Sequence, residues 1–279
     1  MLGHRANGIL AAAFGLLLWP AAVQVQADTL GETLDRIATL EERGRHEEAR
    51  PLVAQALKLG EAAFGPDHPN FASIVERLAV FFQAQDRFAE AEPLHRRALA
   101  IREQALGPEH LGVAGSLQRL AAVTHAQQRY AEAEPLYLRA LAIRERRLGP
   151  ESQVADETRE GLARLYFDLG RYAEAAPYYR RLLAEQVFYI GPDHPLLAPK
   201  LTRLAQIYAE LGRFTDAEPL SQRALTIRET ALGPDHPDLA ESLALHARVL
   251  RGLGRAEEAR QAEARAKALR AEGMPSGSE

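Results

Sequence analysis

The chain has 279 residues, 47% of them apolar and 26% charged, a balance that excludes wholesale disorder. Its 34 basic and 38 acidic residues leave a net charge of −4, which gives no electrostatic case for nucleic acid, where a basic stripe would be expected. With no cysteine, disulfide stapling, thiolate catalysis and cysteine-ligated metal sites are excluded as well.

The N-terminus differs in kind from the rest. MLGHRANGILAAAFGLLLWPAAVQVQA opens with Arg5 and runs through an apolar stretch from Ile9 to Trp19. It ends in small residues, with Val25 and Ala27 at the −3 and −1 positions of a cut before Asp28. That is the layout of a secretory signal peptide. Residues 1–27 are therefore expected to be removed, and the mature chain to be exported, periplasmic or secreted for a bacterial source. The alternative is an uncleaved anchor that presents the remainder from the inner membrane. A span needs roughly 20 apolar residues, and Pro20 and Gln24 interrupt this one. Without cysteine, no lipid anchor is possible at this site.

Beyond Asp28 the chain repeats itself. GPDHP stands at 65–69, 191–195 and 233–237; the last two copies are 42 residues apart and the first two three times that. At the two intermediate places the chain reads Gly107-Pro108-Glu109-His110 and Gly149-Pro150-Glu151. The longer segments agree at the same pitch: RHEEARPLVAQAL (45–57), RFAEAEPLHRRALAIRE (87–103), RYAEAEPLYLRALAIRE (129–145), RYAEAAPYYRRLLAEQV (171–187), RFTDAEPLSQRALTIRE (213–229) and RAEEARQAEARAK (255–267). Six units follow, at about 28–64, 65–106, 107–148, 149–190, 191–232 and 233–271.

Within a unit the apolar spacing is helical twice. Val75, Leu78, Ala79 and Phe82 fall at i, i+3, i+4 and i+7, as do Leu201, Leu204, Ala205 and Tyr208. A second stripe runs through Ala91, Leu94, Ala98 and Leu99, repeated as Ala217, Leu220, Ala224 and Leu225. Gly170 and Gly212 lie between the stripes, where glycine ends a helix in a left-handed conformation. Each unit is thus a helix A, a turn and a helix B. Gly233 then suits the end of helix B, Pro234 stops it, and Pro237 opens the next helix A. Asp235 and His236 lie where the incoming helix needs polar caps. Pro51, Pro93, Pro135, Pro177 and Pro219 fall early in helix B, where a mild kink rather than a break is expected. The alanines at 79, 91, 121, 133, 163, 175, 205 and 217 permit close helix approach. Neither helix of a pair can hide its stripe alone, so stacked neighbours must share one core. The last helix, rich in Arg, Glu and Ala, reads as a terminal cap, and the tail at 272–279 as disordered.

These columns resemble tetratricopeptide repeats, specifically the 42-residue variety of kinesin light chains. The small residue in helix A, the aromatic before helix B and the alanine within it are here Ala163, Tyr172 and Ala175, or Ala205, Phe214 and Ala217. The resemblance covers roughly 29–271; Arg159, Leu182, Ala256 and Glu263 depart from it. It implies an all-α solenoid of about six helix–turn–helix repeats, wound as a right-handed superhelix. It also implies a concave groove, lined mainly by helix A, that binds a partner protein or peptide without chemistry.

No catalytic or metal constellation emerges from the residues. The pairs Asp67/His68, Asp193/His194 and Asp235/His236 offer two ligands each at separations too large for one ion. Gly252-Leu253-Gly254 lacks the strand and third glycine of a nucleotide loop. No cofactor is expected. An enzyme or enzyme-subunit reading would need His125 or His246 to meet a carboxylate and titrate abnormally.

The groove is therefore the candidate site. Helix A positions outside the core stripe are Glu76, Val80 and Gln83; Gln118, Ala122 and His125; Glu160, Arg164 and Phe167; Thr202, Gln206 and Ala209; and Glu241, Arg248 and Arg251. Of these, Gln83, Gln118, His125, Glu160, Arg164, Phe167, Gln206, Arg248 and Arg251 are the partner-binding candidates. Phe167 beside Arg164 has the make-up of a hot spot, or else packs against its neighbouring repeat. Arg77, Arg119 and Arg203 share a column and could form a basic ladder for an acidic partner, or pair with glutamates of their own helices. Phe188 and Tyr189 replace polar residues of sibling units and read either as a subunit contact or as packing against the next loop.

Overall fold

A computed structural model describes residues 21–272; most of the leader segment and the tail beyond Glu272 lie outside the described residues. Twelve α-helices occur among the described residues, alternating as A and B helices, with no strand. They are α1 (Ala21–Glu42), α2 (His46–Phe64), α3 (Pro69–Gln83), α4 (Phe88–Leu106), α5 (Leu111–Ala126), α6 (Tyr130–Leu148), α7 (Asp156–Asp168), α8 (Tyr172–Ile190), α9 (Ala198–Glu210), α10 (Phe214–Leu232), α11 (Leu239–Gly252) and α12 (Ala256–Glu272). Short 3-10 turns at Gln153–Ala155 and Pro195–Leu197 lead into α7 and α9. The chain is all-α and built of helix–turn–helix repeats. It falls into two compact units, with the boundary between Arg129 and Tyr130.

The punctuation works as its residues dictate, with one reassignment. Gly233 takes φ 93° and ψ 157°, a region closed to side-chain-bearing residues, and its N–H closes on Glu229 O. The cap of the next helix comes from histidine, not aspartate. Nδ1 of His68, His110, His194 and His236 accepts the backbone N–H two residues on, from Asn70, Gly112, Leu196 and Asp238 at 3.0–3.2 Å. That lone pair requires the proton on Nε2. Asp67, Asp193 and Asp235 stay exposed. The B helices run unbroken through Pro51, Pro93, Pro135, Pro177 and Pro219.

In the first unit, Leu30, Ile37, Val53, Ile74, Leu78 and Phe81 form one apolar cluster, and Phe71, Ala72, Val75, Ala98 and Ile101 a second. Phe81 takes the inner place expected of Phe82, which is only half-buried. In the second unit, Leu225, Leu239, Leu243, Ala266 and Leu269 close a cluster, so α12 contributes Leu269 while most of its remaining surface is exposed or half-buried. All eight alanines of the small-residue columns are 0% exposed, which is what lets the helices approach closely.

The departure at Arg159 has a definite solution. It occupies a core column held elsewhere by Val75, Leu117, Leu201 and Leu243, and is itself 2% exposed. Its guanidinium donates to Asp156 Oδ1 at 2.5 Å, Glu145 Oε1 at 2.9 Å and the Pro150 carbonyl at 2.5 Å. A buried charge is tolerable only with such partners.

Two polar devices recur with the repeat. An arginine late in helix B reaches a hydroxyl on the following helix A: Arg102 to Ser116, Arg144 to Thr158, and Arg228 to Ser242. At three A–B turns, an arginine returns Nη1 to a glutamate on the preceding B helix. Arg129 meets Glu92 at 2.7 Å, Arg171 meets Glu134 at 2.7 Å, and Arg255 meets Glu218.

Candidate functional site

Helix A positions of the first unit turn out to be largely occupied by internal bonds. Glu76, expected in the groove, is 6% exposed and accepts from Arg102 Nη1 at 2.7 Å, Ser116 Oγ at 3.0 Å and Arg119 Nη1 at 2.9 Å. Arg102 also reaches Ser73 at 3.1 Å. The cluster ties α3, α4 and α5 together, and it removes Arg119 from any basic ladder. Gln83 is half-buried, with Oε1 3.2 Å from Nε2 of the fully buried His95, so it serves the hairpin interior. Burial pushes the His95 ring down to a pKa of about 4, against the opposing pull of Glu76. Gln118 and His125 are half-buried on α5 and each has partners of its own. Val80 remains exposed.

In the second unit, α7 and α9 bring several candidates together. Arg164 Nη2 stands 2.7 Å from Glu160 Oε1, and Lys200 Nζ lies 3.6 Å from the other oxygen of that carboxylate. Phe167 is half-buried, edge-on to Tyr172 with centroids 5.5 Å apart. The guanidinium above its ring belongs to Arg203, 4.2 Å from the centroid, and not to Arg164. Arg203 also donates to Gln206 Oε1 at 3.2 Å. Sequence spacing missed this pairing because Phe167 and Arg203 belong to successive A helices. Phe167 thus packs on Tyr172 of its own hairpin and lies under Arg203 of the neighbouring repeat. A cation over an aromatic ring contributes about 0.5–1 kcal/mol at exposed sites.

Next along, Arg248 Nη1 on α11 meets Glu210 Oε1 on α9 at 2.8 Å. Arg251 pairs with Glu263 of α12, within its own hairpin. Thr202 and Ala209, expected to line the groove, are buried, while Glu241 is exposed. Away from this face, on α8, Phe188 and Tyr189 are 81% and 61% exposed and touch each other edge-on at 5.2 Å. Their exposure does not fit packing against the following loop.

Polar chemistry elsewhere is structural. His246 is buried, and its Nδ1 stands 2.9 Å from Oγ of Ser221, itself buried and bonded to the Glu218 carbonyl. Burial lowers the His246 pKa. A hydroxyl so enclosed has no room for a substrate. Among the described residues, no group of three or more His, Asp or Glu side chains stands close enough to hold a metal ion. No helix among them is long and apolar enough to cross a membrane.

A tetratricopeptide repeat family model matches residues 71–146, 113–184 and 196–272, and a second tetratricopeptide repeat model matches 34–70. Among solved structures, the chain is similar to a protein of Podosopora anserina described as a kinesin light chain with nearly identical TPR-like repeats. Identity is 26% and the TM-score 0.64, over 75% of this chain and 99% of that one. BtubC (BKLC) from P. vanneervenii matches at 24% identity and TM-score 0.59, over 88% of this chain and 95% of that one. PilF of Pseudomonas aeruginosa matches at 20% identity and TM-score 0.55, over 89% and 95% respectively. No curated protein sequence matches.

Proposed function

The chain belongs to the tetratricopeptide-repeat family, and on that premise we propose that it is an exported scaffold holding a partner protein or peptide on the α7–α9–α11 face of its second unit. Repeats of this kind imply protein–protein interaction, and the family is typically non-enzymatic. The observation that carries the reading is the pair formed by Phe167 and Arg203. The ring is half-buried and fixed by Tyr172, and the guanidinium on it bonds Gln206 and no carboxylate among the described residues. A rigid aromatic beside an arginine with spare donors is the usual composition of an interface anchor. Around it, the Glu160–Arg164, Glu160–Lys200 and Glu210–Arg248 pairs supply a solvated polar rim.

Export rests on the signal-like leader. Among the residues of α1 whose burial is described, Leu30, Thr33 and Ile37 are buried, and all three lie beyond the expected cut before Asp28, so each would remain in the mature chain.

Affinity capture with the mature chain, run beside Phe167→Ala and Arg203→Ala, tests the face. A partner retained by the wild type and lost from both variants, at unchanged melting temperature, supports it. Equal recovery by all three sinks it. N-terminal sequencing of the exported protein tests the leader: a start at Asp28 is expected, and an intact N-terminus in the membrane fraction would replace export with anchoring.

A further inference from the structure

One turn of the first unit lacks a carboxylate that three sibling turns have. Arg129, Arg171 and Arg255 each give Nη1 to a glutamate of the preceding B helix. Arg87 holds the same place one repeat before Arg129, but the residue 42 before Glu92 is Arg50. Arg87 Nη1 is accordingly buried with no hydrogen-bond partner. Its Nε and Nη2 go to Glu90, and Glu47 Oε1 stands 3.7 Å from Nη1, beyond hydrogen-bond reach. Glu47 is itself paired with Arg50 at 3.1 Å.

A second orphan belongs to a residue of the same pocket lining. Nδ1 of His46 is also buried and unpartnered. Both residues line an open pocket of about 540 Å³ between the turns around Gly44 and Gln85. That volume lies within the range of ligand-binding clefts. Arg213, which also lacks a glutamate on the preceding B helix (Ala176 stands there), is half exposed, so water can serve it. Arg87 is different, because a buried charged donor left unmade costs more than a neutral one.

We propose that this pocket seats the carboxylate of an aspartate or glutamate side chain from a partner protein, which supplies to Arg87 Nη1 the acceptor that Glu92, Glu134 and Glu218 supply in the other repeats. One carboxylate oxygen accepts from Arg87 Nη1. The other accepts from His46 when its proton is on Nδ1. Like-for-like replacement of a missing glutamate favours a side-chain carboxylate over other anions. The pocket lies in the first unit, and its occupancy is read without reference to Phe167 or Arg203.

The test is a titration of the isotope-labelled chain with N-acetylglutamate N-methylamide, followed through the Arg87 Nε–H and His46 ring resonances. Saturable shifts are expected, with none from the glutamine analogue. Arg50→Glu, which restores the repeat's own acceptor, should raise the melting temperature by about 3 °C and abolish the shifts. Arg87→Gln should abolish them too, and Arg50→Glu keeps the test open if Arg87→Gln fails to fold. Absence of shifts in the wild type overturns the proposal, as do equal shifts in Arg50→Glu. If N-acetylglycine binds more tightly than the glutamate analogue, a chain terminus is the occupant and the side-chain assignment is overturned. If Glu47→Gln lowers stability and the glutamate analogue moves nothing, Glu47 already serves Arg87 and the pocket has no guest.

Discussion

Lowering the pH from 7 to 4.5 should destabilise the first unit by about 2 kcal/mol through one side chain, His95. The ring is 0% exposed, its Nε2 faces Gln83 Oε1, and its Nδ1 has no partner. Burial lowers its pKa from 6.5 to about 4, with Glu76 pulling it up and Arg119 and Arg102 pushing it down. Because the folded value lies below the unfolded one, the unfolded chain takes up the proton first as the pH falls. Stability is therefore fully present above pH 6.5 and declines as the pH drops from 6.5 toward 4. The complete interval corresponds to about 3 kcal/mol, of which about 2 kcal/mol is lost by pH 4.5. Urea unfolding at both pH values, in the wild type and in His95→Leu, isolates this contribution, since all other titrating groups are common to the two. The variant should lose about 2 kcal/mol less than the wild type over the interval. Identical pH dependence in both proteins, or a His95 ring that titrates near 6.5 by NMR, would refute the reasoning.

Three other outcomes follow from single contacts. Gln128 holds φ 60° at a column where Gly44, Gly170, Gly212 and Gly254 stand. Gln128→Gly should stabilise by about 0.5–1 kcal/mol in thermal unfolding, since a side chain in the left-handed region costs about that much. A methyl group added at Gly161 would sit 2.4 Å from Tyr137 Cε1, in a ring only 3% exposed. Gly161→Ala should therefore lower stability by about 1–2 kcal/mol despite alanine's better helix propensity, and an unchanged melting temperature would show that the ring yields freely. Arg102→Met leaves Glu76 buried with Ser116 and Arg119 alone and should cost about 3 kcal/mol in denaturant unfolding.

Much of the candidate face could be placed by number from the repeat, yet its chemistry could not. Glu160, Arg164, Phe167 and Gln206 do share one face, as their columns required. Glu76 belongs to the same column as Glu160, however, and is buried among Arg102, Ser116 and Arg119, while Glu160 stays half-exposed beside Lys200. The difference comes from partners on neighbouring helices: Arg102, Ser116 and Arg119 surround Glu76, whereas the corresponding positions around Glu160 hold Gln186, Lys200 and Arg203. A residue's column states which way it points, whereas its neighbours across the helix interface decide whether water reaches it.

From the sequence alone came the hairpins, their pitch of 42, the glycine and proline stops and the alanine seams. Each is a constraint within a few residues: a φ that only glycine adopts, an N–H that proline lacks, a stripe recurring every turn. The tertiary structure decided that histidine caps the A helices, that Gln83 turns to His95, that Arg203 lies over Phe167, and that Arg87 Nη1 is buried without a hydrogen-bond acceptor. Those outcomes depend on side-chain lengths and charges meeting across helices or within a turn, where many pairings satisfy the same periodicity and only the packed geometry selects one.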